Sequence, residues 1–144
     1  MKMTKEDVAR YPRLAYYVKH DLAKLVKVPA VVRALERVGQ IQRPTLERAL
    51  KWGAGPEVKV TDLKGAFGEF TPDSKSNEIR IDTKVVTEFE AGRGKRVARA
   101  GKVYLVGVTL IHELVHWGDD QDGVDRPGEE GEELENSLYG SVIY

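Results

Sequence analysis

Apolar residues recur at helical spacing through the first third of the chain and at alternate positions in the stretch that follows, which predicts helices first and a small sheet after them. Between Tyr11 and Val28 the positions Leu14, Tyr17/Val18, Leu22 and Leu25/Val26 lie on one helical face with Lys and Asp between them. Pro29 suits the first turn of a second helix, carried by Val31, Val32, Leu35 and Val38 and stopped near Gly39. A third helix is expected from Pro44 to Trp52, closed by Gly53-Ala-Gly-Pro56. After Pro56 the period drops to two in Glu57–Val60, Ala66–Phe70 and Asn77–Asp82, the signature of strands. The polar run Thr71–Asn77 predicts a turn, so Phe67 to Asp82 reads as a hairpin or meander, and Val85 to Phe89 begins a short helix. Val103 to Ile111 is nearly all apolar and predicts a buried helix that continues past it; a last helix is expected over roughly residues 129–139. Helices, sheet, buried helix, acidic segment and final helix in that order give an α+β arrangement with a small, mostly antiparallel sheet.

The buried helix runs into His112-Glu113-Leu114-Val115-His116, and these residues bring the first chemistry into the pattern. At about 100° per residue, positions four apart lie within about 40° of one another, so both imidazoles face one point. Glu113 projects from the neighbouring arc, where a carboxylate takes a proton from water held by a metal ion instead of binding the ion. No Lys or Arg lies three or four residues from Glu113, so a metal ion is the natural counter-charge for an acid on so apolar a helix. The third histidine, His20, sits on the first helix and reads as an ordinary, partly exposed side chain.

Length and composition narrow the picture. With 144 residues the chain is expected to form one domain, its helical part over about 1–55, its sheet over 56–82 and its metal site over 103–144. There is no cysteine, so imidazole, carboxylate and water are the available ligands. The opening Met1-Lys-Met-Thr-Lys-Glu-Asp7 lacks the apolar stretch of a signal peptide, and no run approaches the roughly 18 residues of a membrane span. Export, if it occurs, is expected to use a non-classical route, and no membrane segment is expected. Basic and acidic residues balance at 23 each, yet residues 119–135 hold nine acids against Arg126 alone. The basic segment from Arg93 to Lys102 has no aromatic residues for bases to stack on and reads as a solvated loop, which disfavours a nucleic-acid partner.

A catalytic zinc takes three protein ligands and leaves a position for water, so a further donor is needed. On the last helix, with Leu134 set at zero, Leu138, Gly131 and Val142 fall between about 40° and 80° and define the inward face. Glu135, at about 100°, is the only acid inside the arc bounded by Leu134 and Tyr139; Glu132 lies just outside at about 160°, while Glu129 and Glu133 face away. Glu135 is therefore the expected third ligand, with Asp122, Glu132 and Glu129 as rivals. Asp122 stands six residues after His116, where another class of zinc protease has its third ligand, but that class has Gly at the third position after the second His and here Gly118 comes one early. The run Gly118 to Glu129 also matches a calcium loop except at its first ligand position, which makes Ca²⁺ a second candidate ion there. Tyr139, one turn after Glu135, is the candidate donor to a developing oxyanion.

The motif His112 to Gly123, followed by Pro127-Gly-Glu-Glu-Gly131, Leu134-Glu135 and Tyr139-Gly140, resembles the zincin-like metallopeptidase toxin domains of bacterial polymorphic toxin systems. The resemblance extends upstream through Asn77–Asp82 and Trp52–Pro56. It implies a zinc endopeptidase acting on a protein target, delivered as an effector domain of a longer polypeptide and matched by an immunity protein. It also implies that an extended substrate pairs with an edge strand beside the metal helix, for which Asn77–Asp82 is the candidate. The alternative from another functional class is a metal-stabilised interaction module, holding zinc or calcium and catalysing nothing.

Overall fold

A computed structural model describes residues 1–122, apart from the side chain of Asp122, and residues 129–144. Short helices come first, as the apolar spacing predicts. Helix α1 spans Lys5–Arg10, and the Thr4 side chain caps it by accepting from the Asp7 N–H at 3.2 Å. Helix α2 covers only Pro12–Tyr16 and passes into a π-helical turn, Tyr17–Asp21, and a 3₁₀ segment, Leu22–Lys27. The expected continuous helix over residues 11–28 is thus a composite. Leu14, Val18 and Leu22 are all buried at a spacing of four, which drifts by about 40° per step on a regular α-helix, and the wider turn takes up that drift. Helices α3 (Pro29–Val38, with Gly39 as its C-cap) and α4 (Arg43–Leu50) follow the prolines that open them.

Three strands form a mixed sheet in the order β1-β3-β2: β1 is Glu57–Thr61, β2 Gly68–Phe70 and β3 Glu78–Asp82. Strands β2 and β3 make the expected antiparallel hairpin, with Phe70 opposite Ile79 and Gly68 opposite Ile81. Strand β1 runs parallel to β3, so the sheet is not mostly antiparallel, and β3 lies at its centre instead of its edge. Its burial explains the position. Ile79 and Ile81 join the core on one face, while on the other Arg80 is buried against Glu69 at 2.5 Å and Glu78 at 3.0 Å, with the Thr71 hydroxyl as a further partner. A residue that needs covering on both faces belongs inside a sheet. The outer side of β1 is met by Lys2, whose N–H donates to the Pro56 carbonyl and whose own carbonyl accepts from Val58. On the opposite side of the sheet, β2 has an open edge that pairs with no further strand among the described residues.

Asp82 ends β3 and starts α5 (Thr83–Glu90), one carboxylate oxygen accepting from Leu63 N–H and the other from Lys84 N–H. The basic segment forms a second hairpin, β4 (Lys95–Ala98) with β5 (Gly101–Tyr104), where the sequence reads as a loop. Its charged and small residues give no clear alternation, and Val97 is four-fifths exposed. Strand β5 leads directly into α6 (Leu105–Asp122), and the last helix, α7, is Glu130–Tyr139. Helix α6 packs against α7, β2 and β3, and its Leu110, Ile111, Leu114 and Trp117 belong to one hydrophobic cluster with Leu35, Leu46, Ile79 and Leu134. No helix among the described residues is long and apolar enough to cross a membrane.

Candidate metal centre

Helix α6 is apolar on nearly all sides in its first half, as a helix enclosed by the core must be. The sector holding Leu105 and Thr109 continues outward to His112 and His116, which emerge partly exposed at the rim of a cleft. The two imidazole centres are 5.2 Å apart, and both Nε2 atoms point toward the start of α7. There Glu129, the N-cap of that helix, accepts from the Gly131 N–H at 3.2 Å with the same oxygen, Oε1, that lies 3.0 Å from His116 Nε2 and 3.4 Å from His112 Nε2. One ligand atom from each of His112, His116 and Glu129 lies within 4.8 Å of the others, a spacing suited to one small cation.

Glu135 takes a different place from the expected one. Its Oε1 accepts from His112 Nδ1 at 2.6 Å and its Oε2 from the Ile143 N–H at 2.7 Å, so the carboxylate is spent on the far side of the imidazole. It is 4 % exposed, as its inward arc on the helix predicts. The helical wheel identifies the acid that faces the core, whereas the carboxylate facing the Nε2 atoms stands at the helix start, where no periodicity places it. The bond to Glu135 leaves the lone pair of His112 on Nε2. Burial disfavours protonation of His112, but the bond to Glu135 and the charges of Glu113, Glu135 and Glu129 outweigh it and raise its pKa.

Glu113 is 7 % exposed and touches the sheet edge. A β-carbon at Gly68 of β2 would lie 2.8 Å from Glu113 Cγ and 2.9 Å from its Oε1, so the open strand and the carboxylate meet with no room between them. Burial pushes the Glu113 pKa from 4.5 up to about 7; the His112 charge opposes this, and Glu129 and Glu69 add to it. A carboxyl group poised there exchanges a proton in either direction near neutral pH.

The cleft has a volume of about 910 Å³, with the histidines, Glu113 and Glu129 on one wall and residues of β2 and the following turn, such as Phe70 and Asp73, on the other. A smaller cavity of about 200 Å³ lies beyond Glu113, between Phe67, Val108 and Ile143. The exposed Glu132 borders this second cavity. Tyr139 packs against the core, its hydroxyl pKa raised by burial and by Tyr17 and Glu135, and it is not among the described residues that line the cleft. Gly118 to Asp122 continue α6 and do not begin a calcium loop; the side chain of Asp122 and residues 123–128, on which the rest of that loop and the Asp122 alternative depend, lie outside the described residues. Sequence reasoning missed Glu130, which is buried with its Oε2 3.6 Å from His116 Nδ1, and Gly131, against whose Cα the His112 ring lies.

No curated protein and no solved structure matches the chain. A family model does, under the description metallopeptidase toxin 3, and it spans residues 7–140, including both donor helices. With histidines, capping carboxylate and buried acid assembled within that match, the chain belongs to the metallopeptidase toxin 3 family.

Proposed function

We propose that the protein is a zinc-dependent endopeptidase of zincin-like architecture, acting as a bacterial toxin or effector on a protein target and countered by an immunity protein. The observation that carries this reading is the convergence of His112 Nε2, His116 Nε2 and Glu129 Oε1 beside a buried Glu113. Two imidazoles and one carboxylate form a donor set suited to a catalytic zinc, with a position left for water. Glu129 is the third ligand in this reading, and Glu135 orients His112. Bound there, zinc supplies Lewis acidity to the scissile carbonyl and makes the attacking water acidic.

The residues of the chain do the rest. Glu113 takes the proton of the attacking water on its carboxylate and returns it to the leaving amine. The open edge of β2 holds the substrate backbone as an added strand, which sets the scissile amide against Glu113 at Gly68. Side chains of the substrate then alternate between the large cleft and the opposite face.

The test combines metal analysis with peptide cleavage. One zinc per chain and proteolysis of a denatured protein substrate are expected for wild type; Glu113→Gln retains the zinc and loses the cleavage, and Glu129→Ala loses both. Proteolysis that survives Glu113→Gln overturns the mechanism. Firmly bound zinc without cleavage of any substrate points instead to a metal-stabilised interaction module.

A further inference from the structure

Each of the two histidines has a buried carboxylate opposite its Nδ1, Glu135 for His112 and Glu130 for His116. His112 has its Nε2 toward Glu129 and its Nδ1 bonded to Glu135. His116 has its Nε2 3.0 Å from the same Glu129 oxygen, and the group opposite its Nδ1 is the Glu130 carboxylate, with Oε2 at 3.6 Å. Glu130 is only 5 % exposed, and its other oxygen, Oε1, has no hydrogen-bond partner among the described residues. A buried carboxylate requires a donor, and an imidazole that gives its Nε2 lone pair to a cation must carry its proton on Nδ1 and requires an acceptor. Glu130 Oε2 thus stands where an acceptor for the His116 Nδ1 proton is required.

We infer that Glu130 is a positioning residue for His116, accepting the Nδ1 proton when Nε2 binds metal, as Glu135 does for His112. The inference rests on the metal reading given above. A separation of 3.6 Å is too long for a hydrogen bond, and a small rotation of either side chain closes it. One helix then serves both histidines: α7 presents Glu129 at its N-cap to the Nε2 atoms, Glu130 in its first turn to His116 and Glu135 to His112. An acid in the first turn of a helix is also favoured by the helix dipole, and that role alone would leave the His116 ring unaffected.

The imidazole Nδ1 protons of the zinc-loaded protein, followed by ¹H–¹⁵N spectroscopy with zinc affinity measured by chelator competition, test this in wild type, Glu130→Gln and Glu130→Ala. In wild type both Nδ1 protons are expected downfield and slow to exchange. Glu130→Ala is expected to lose the His116 signal, keep that of His112 and weaken zinc binding roughly tenfold. Glu130→Gln retains an acceptor oxygen, so the signal returns, shifted upfield, with most of the affinity. An unchanged His116 proton in Glu130→Ala overturns the inference; if that variant does not fold, an unchanged chemical shift in the isosteric Glu130→Gln does so. A wild-type protein that takes up no zinc overturns the metal reading itself, a different result from a metal site indifferent to Glu130.

Discussion

The imidazole of His112 fills the space that a side chain at Gly131 would occupy: a β-carbon built there would collide with Nε2, Cε1 and Cδ2 of the ring. Helix α7 can therefore approach α6 closely enough for Glu129 and Glu135 to reach opposite nitrogens of one histidine.

Gly131→Ala is expected to displace that ring. Overpacking of this kind costs about 1–3 kcal/mol, and here the strain falls on a metal donor. A lower melting temperature together with weaker zinc binding in chelator competition is the expected result, and an unchanged zinc affinity would show that the ring has room to move.

Gly68→Ala acts on the contact between the β2 edge and Glu113. The added methyl would lie 2.6 Å from Thr109 Cγ2 and 2.8 Å from Glu113 Cγ, so either the β2 edge or the Glu113 carboxylate must shift. Displacement of a reacting group by about 1 Å lowers turnover on the order of a hundredfold. The variant is expected to bind zinc like wild type and to lose kcat, as read by a peptidase assay alongside metal analysis.

Glu135→Ala removes the acceptor for His112 Nδ1 and leaves the Ile143 N–H without its partner. A fall of about 10- to 100-fold in zinc affinity is expected, with a stability loss of about 1–3 kcal/mol from the unsatisfied amide. Were Glu135 itself the third ligand, its removal would abolish binding and Glu129→Ala would spare it; competition titrations of the two variants separate these outcomes.

His112, Glu113 and His116 are legible in the sequence because one helix holds all three, and its period alone fixes their relative directions. Glu135 is legible as a buried acid for the same reason, but burial on a helix marks the core side, and the core side of His112 is its Nδ1. Glu129 is half-exposed and lies just before its helix, so its position depends on how α7 approaches α6. Strand order is a tertiary property in the same way. The alternation in residues 78–82 reads as a strand, whereas its central place depends on parallel pairing with Glu57–Thr61 and on partners for Arg80. Residues 95–104 form a hairpin because they pair with each other, although Lys95, Arg96 and Lys102 make their pattern that of a solvated surface.

Metal-free protein is expected to lose stability as the pH rises through neutrality. Glu113 has a folded pKa of about 7 against a usual 4.5, so between those values the unfolded chain ionises first and folding is disfavoured by up to on the order of 3 kcal/mol. The raised pKa of His112 acts in the same direction: its stabilising effect is present below about 6.5 and is lost as the pH passes the folded value. Zinc replaces these protons, so its own stabilising effect grows with pH. Thermal melts from about pH 5 to about pH 8, with chelator and with excess zinc, are expected to slope in opposite directions. A metal-free melting temperature that climbs across this range would contradict the buried, protonated Glu113.

Both donor helices are neighbours in the chain, and the segment from His116 to Glu129 is short. Helices α6 and α7 are already packed against each other, so an ion that bridges them adds little order to what the fold has already ordered. Chelation is thus expected to loosen a local clasp while Leu14, Leu35, Ile79 and their neighbours remain packed, making uptake of the ion a reversible switch on a scaffold that is already folded.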